Sequence, residues 1–167
     1  MTRVALVPGC LALLPENASL EDPVEELRSA CLAAVAWLGE EVRVVAGAQG
    51  ARVASALLAE VGAAPTSDAE AAYLIVGNGS ARRSEKAPGH LDPRAAGFDE
   101  TLGRSLAKPD ADALGALDRG LAADLWADVD PIVESAELLR GFDTVAIDYD
   151  ADPYGVRYWV ARWARPV

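Results

Sequence analysis

Apolar residues in this chain alternate between short continuous runs and longer stretches in which they recur every three or four positions. Residues 4–7 (VALV), 42–46 (VRVVA) and 72–76 (AYLIV) are runs of the first kind and predict strands covered on both faces. Between the first two, Val24, Leu27, Cys31, Val35 and Leu38 would line one face of a helix. That helix has an explicit start, with Asp22, Pro23 and Glu25 at the N-cap, N1 and N3 positions, and Gly39 as its stop. Val53, Leu57 and Val61 predict a second helix over 52–61, closed by Gly62.

After the third strand the pattern turns helical. Asp92-Pro93 repeats the cap-and-proline start, followed by Phe98, Leu102 and Leu106 on one face. Leu114, Leu117, Leu121 and Leu125 form a second helical stripe behind Asp110, and Asp130-Pro131 opens a third through Ile132, Ala136 and Leu139 to Gly141. Residues 144–147 and 156–163 predict two closing strands, separated by a polar stretch at 148–153. Strands alternating with helices imply an α/β fold with a mainly parallel or mixed central sheet and helices on both faces. The length of 167 residues fits one domain over 1–167, and no internal repeat or low-complexity block interrupts it.

Composition narrows the function. Hydrophobic residues make up 51% of the chain, enough for an ordinary core. No apolar stretch approaches the ~20 residues of a membrane span, and Pro8-Gly9 breaks the N-terminal run that resembles a signal peptide. A cytoplasmic protein without a membrane partner is expected. Cys10 and Cys31 read as thiols rather than a disulfide. Acidic residues outnumber basic ones 26 to 15, for a net charge of −11, so nucleic acid is not an expected partner. The charge is also uneven: residues 99–152 hold fourteen acids and four bases, whereas residues 77–94 carry Arg82, Arg83, Lys86 and Arg94 against Glu85 and Asp92.

That basic island follows the third strand, where open α/β sheets bind ligands. Gly77, Asn78, Gly79, Ser80, Arg82, Arg83 and Lys86 combine approachable backbone, a hydroxyl and positive charge, and suit a small carboxylate or phosphate. The plainer reading is a long turn whose arginines pair with neighbouring carboxylates. His90, the only histidine, is a candidate acid–base group or simply a surface residue. Asp148, Asp150 and Asp152 alternate and could share one face of an extended segment, as a hard cation would need, or form a turn. Cys10 and Ser80 lack the surroundings of a nucleophile: His90 is the only base and no G-x-S-x-G elbow occurs.

The segments VALVPGCLALLPE, GNGSARRSEKAPGHLDPRAAGFDE and DADPYGVRYWVARW resemble the subunit-B-like domain of class III extradiol ring-cleavage dioxygenases, within a small branch found in high-GC bacteria. The resemblance implies an α/β sandwich that often forms oligomers. In active members it also implies Fe(II) held by two histidines and a carboxylate, with a further catalytic histidine. The matching positions here read Pro8-Gly9-Cys10, Gly47-Ala48-Gln49-Gly50 and Gly77-Asn78-Gly79-Ser80-Ala81-Arg82, so all three histidine positions are empty. The expectation is therefore a pseudoenzyme without metal or cofactor that binds a small anion at loop 77–86. A divergent Fe(II) ring-cleavage oxidoreductase and an oligomeric interaction subunit are the alternatives. Tyr158, Trp159 and Trp163 beside Arg157, Arg162 and Arg165 suggest the interaction subunit, unless those rings are core.

Overall fold

The computed structural model describes residues 1–17, 24–67 and 72–166. Asp22 and Pro23, expected to open the first helix, lie outside them. The strands are β1 (Thr2–Val7), β2 (Glu41–Val45), β3 (Ala64–Pro65), β4 (Ala72–Val76), β5 (Asp143–Ala151) and β6 (Tyr158–Arg165). The helices are α1 (Glu25–Leu38), α2 (Ala48–Val61), α3 (Ala95–Ala107), α4 (Ala111–Gly115), α5 (Arg119–Asp124) and α6 (Asp130–Glu134).

One mixed sheet runs β3-β2-β4-β1-β6-β5. The first four strands are mutually parallel, β6 is antiparallel to β1, and β5 is antiparallel to β6. Every residue from Val4 to Val7 is completely buried, as a strand with helices above and below must be. Side chains alternate along it. Ala5 and Val7 join Leu27, Cys31, Val35 and Leu57 of α1 and α2 on one face. Val4 and Leu6 join Phe98, Leu102, Leu114 and Ile132 on the other, beneath α3–α6. The aromatics of β6 divide the same way, Tyr158 toward the first core and Trp159 and Trp163 into the second, where Trp163 Nε1 donates to the Leu106 carbonyl at 3.0 Å. These rings are core, at 7%, 1% and 0% exposure, and do not form a docking surface.

Four predicted elements differ from those observed. The leucine stripe at 114–125 is two short helices, because Asp118 caps α5 by accepting from the Leu121 N–H at 2.9 Å and thereby ends the helix before it. The helix opened by Asp130 gives way after Glu134 to hydrogen-bonded turns that carry Ala136 and Leu139 into the core. Strand β5 runs on past residue 147, where the predicted strand ended, through Asp148 and Asp150, in keeping with the extended rather than the turn reading of those carboxylates. As the outer strand it needs only one apolar partner face, and two register irregularities against β6 twist it. The start of α3 differs from the expected Asp92 cap: its N-cap is Arg94 and carries no side-chain cap, and the Asp92 carboxylate accepts from the Arg94 N–H at 2.9 Å just ahead of the helix. Among the described residues no helix is long and apolar enough to cross a membrane.

Candidate functional site

Strands β1 and β4 lie side by side, and their carboxyl ends open into a cleft of about 680 Å³, the usual size for a small-molecule site. The chain leaves β1 through Pro8-Gly9-Cys10 and β4 through Gly77-Asn78, with the Gly77 N–H still bonded to the Val7 carbonyl at 3.0 Å. On one side Gln49, in the first turn of α2, donates from Nε2 to the Gly9 carbonyl at 2.8 Å. Gly50 lets that turn reach the strand ends, since a Cβ there would sit 2.9 Å from Val76 Cγ1. Opposite, Asn78 and Asp128 exchange backbone hydrogen bonds of 3.0 and 3.1 Å, which brings the segment after α5 to the cleft wall. Tyr154 and Tyr158 close it from the β5–β6 hairpin, and Trp126 stands at its rim.

Among the described residues, Asp128 is the one charged side chain lining this cleft. It is half-buried, and its carboxylate makes no hydrogen bond or ion pair with any described residue. Burial, and after it the neighbouring Asp130, push the carboxyl above the ordinary aspartate value. Oδ2 of Asp128 and Oδ1 of Asn78 both face Gly9, each 3.8 Å from where a Cβ would lie. Tyr158 is buried beside Cys10, and burial followed by that sulfur pushes its hydroxyl far above the usual phenol range. Burial does the same to the Cys31 thiol, a free cysteine like Cys10. A thiol held protonated is a poor nucleophile.

Trp126 has an unusual backbone. Its φ is +57°, in the left-handed region. The Trp126 N–H bonds the Ala123 carbonyl and the Ala127 N–H bonds the Ala122 carbonyl, so α5 ends in a Schellman turn with Trp126 at the position that favours glycine. A bulky residue there is strained by about 1–2 kcal/mol, yet the side chain is 58% exposed and contributes little to the core.

Most of the anion-binding set expected from the sequence is engaged elsewhere. Of loop 77–86, only Asn78 and Ala81 line the cleft. A Cβ on Gly77 would meet the Asp128 carbonyl at 2.8 Å, and one on Gly79 would meet Asp99 Oδ1 at 2.5 Å, so these glycines admit the protein's own atoms. Ser80 is fully buried and donates to Asp99 from its N–H at 2.8 Å and its hydroxyl at 2.6 Å. Arg83 pairs with Asp99 at 2.9 Å and Asp152 at 2.7 Å. Arg82 donates to the Asp124 carbonyl at 2.9 Å and lies 3.6 Å from Asp92. Lys86 is exposed and makes no ion pair with a described residue. His90, also exposed and with φ +59°, has Nδ1 3.1 Å from the Glu85 carbonyl and does not line the cleft.

Asp148, Asp150 and Asp152 each take a different arginine, Arg162, Arg157 and Arg83 respectively. Among the described residues no group of three or more His, Cys, Asp or Glu side chains could hold a metal ion. The facial iron site implied by the resemblance does not fit the residues present, because the strand-end segments offer carboxamides, carbonyls, a thiol and a single carboxylate, with no imidazole.

Asp128, Trp126 and Tyr154 are cleft residues that sequence reading missed, whereas Gln49 stands in the segment matched to the second absent histidine. Asp128 was submerged in the acidic run, and the isolated Trp126 within that run was the one signal that could have singled it out. Compared with known proteins, the sequence matches no protein-family model and no curated protein, so the functional reading rests on this geometry.

Proposed function

We propose that this chain is a non-catalytic binding protein, on an α/β scaffold resembling the extradiol dioxygenase subunit-B-like domain, that holds a small molecule in the strand-end cleft. The observation that carries the reading is the half-buried, unpaired Asp128 carboxylate in that cleft. Elsewhere the arginines around loop 77–86 are matched to carboxylates or carbonyls, and a half-buried charge left without a partner is costly unless a ligand supplies one. The groups around it, Asn78, Gln49 and the rings of Trp126 and Tyr154, can orient a ligand. The three segments aligned with the missing histidines, 8–10, 47–50 and 77–82, all contribute to the cleft wall, which supports a retained pocket with altered chemistry.

A small carboxylate or phosphate at loop 77–86 is a second reading, favoured by the exposed, unpaired Lys86. Such an anion would compete with Asp99, Asp152 and Asp92 for the arginine donors. Backbone amide NMR separates the two sites. With a panel of small amines, neutral polyols, butyrate and inorganic phosphate, shifts at Gly9, Asn78 and Asp128 support the cleft. Gly9→Leu should abolish them, because a Cβ at Gly9 clears its neighbours by at least 3.7 Å and the longer side chain occupies the space beyond. Shifts confined to 82–86 with phosphate or butyrate would transfer the function to the loop.

A further inference from the structure

We propose that the cleft ligand is an organic cation, an alkylammonium seated between the Asp128 carboxylate and the rings of Trp126 and Tyr154. The proposal rests on the reading of the cleft as a binding site and names what enters it. Among the described residues the cleft is lined by one carboxylate and by no lysine, arginine or histidine, which makes their contribution to it negative. The surrounding stretch 99–152 extends that sign over the surface, with fourteen acids to four bases.

The aromatic rings supply a second, independent observation. Arginines of the protein lie over Trp37 (Arg3 and Arg162), Tyr73 (Arg43), Trp159 (Arg157) and Phe142 (Arg165), with the guanidinium carbon 4.7–5.9 Å from the ring centre. This is the geometry of cation–π attraction. Trp126 and Tyr154 have no such cover among the described residues, although at 58% and 42% exposure their faces are accessible. Both stand at the cleft that holds the unpaired carboxylate. Trp126 is held there at the cost of a left-handed backbone where glycine would be unstrained. Strain that positions an exposed ring over a charged cleft is strain at a ligand site.

An ammonium group satisfies both features: its charge answers Asp128, and its N–H or N-methyl surface lies against the rings. A carboxylate or phosphate satisfies neither. The cleft volume of about 680 Å³ leaves room for a carbon chain beyond the head group.

Tetramethylammonium and butylammonium are the probes, with 3,3-dimethylbutanol as a neutral shape match and butyrate as the anion. Each is titrated at saturating concentration and matched ionic strength, followed by amide and indole N–H NMR. The cations should shift the Trp126 indole and the Gly9, Asn78 and Asp128 amides. Asp128→Asn should weaken them at least ~10-fold and Trp126→Ala by roughly 2- to 30-fold. Asp128→Lys should make butyrate the better ligand. Because the Asp128 side chain bonds no described residue, these variants should fold, which thermal unfolding verifies. Neutral or anionic probes that shift the cleft as strongly as the cations, or cation binding unchanged in Asp128→Asn, would overturn the cation assignment and leave the cleft standing. If no probe shifts the cleft, both the assignment and the site fail.

Discussion

Removing the Asp99 carboxylate should destabilise the protein more than any surface substitution. Asp99 is 1% exposed and accepts three hydrogen bonds: from the Ser80 N–H, from the Ser80 hydroxyl and from Arg83. In Asp99→Ala the Ser80 N–H and hydroxyl, in a residue with no exposure, lose their acceptor, at about 1–3 kcal/mol for each donor left unsatisfied. Arg83 loses one of its two carboxylates but keeps Asp152 at 2.7 Å, so its charge is not stranded. These contributions overlap, and about 3–5 kcal/mol is expected, the range for breaking a buried ion pair from one side. Against a typical total of roughly 5–15 kcal/mol, that is a large share. Urea unfolding at neutral pH, followed by circular dichroism, reads it directly. Thermal unfolding should shift down by about 6–20 °C. Ser80→Ala made in the Asp99→Ala background should cost less than in the wild type, since the hydroxyl then has no carboxylate to lose. A loss below ~1 kcal/mol for Asp99→Ala would refute the reasoning, because it would mean that water reaches Ser80 and the loop is not anchored by this carboxylate.

Trp126→Gly should raise stability by about 0.5–1 kcal/mol, the relief of the left-handed strain less the entropy of glycine, while weakening ligand binding; unfolding and titration of one sample test both. Asp128 has a raised carboxyl, so its charge opposes folding: stability should fall as pH rises from the ordinary aspartate value through the raised one. Asp128→Asn should remove that fall and be the more stable protein at neutral pH, as paired urea curves across the pH range would reveal. Asp92 behaves oppositely. Its side-chain and backbone hydrogen bonds to Arg94 hold it down to about 2, so it stabilises the fold above about pH 4 and loses that contribution as pH drops toward 2. The stability difference between wild type and Asp92→Asn should shrink over that interval; a constant difference would show that the carboxylate's charge plays no part.

The layers of the fold were legible where burial is two-sided or periodic. The apolar runs of β1 and β4 could only be covered strands, and the spacing of Leu27, Cys31, Val35 and Leu38 could only be a helix face. The far end of β5 was not legible. Its Asp148 and Asp150 fit an extended segment or a turn until Arg162 and Arg157 are seen beside them. The two-residue β3 carries too few positions for any pattern. In the loop after β4, glycines and arginines suggested an anion, and the plainer alternative, arginines matched to nearby acids, describes Arg83 with Asp99 and Asp152.

Hydrophobic periodicity thus determined the strands β1, β2 and β4 and the long helices α1, α2 and α3, because a residue's need for burial is a local property written at its own position. The cleft was decided by tertiary structure alone. Asp128 was one of fourteen acids in its stretch until a backbone bridge to Asn78 carried it to the ends of β1 and β4. Of its neighbours in that stretch, Asp124 lies 3.5 Å from Arg94 and Asp130 lies 3.7 Å from Arg119. Which charge is left without a partner depends on where all the others go, and only the folded chain settles that.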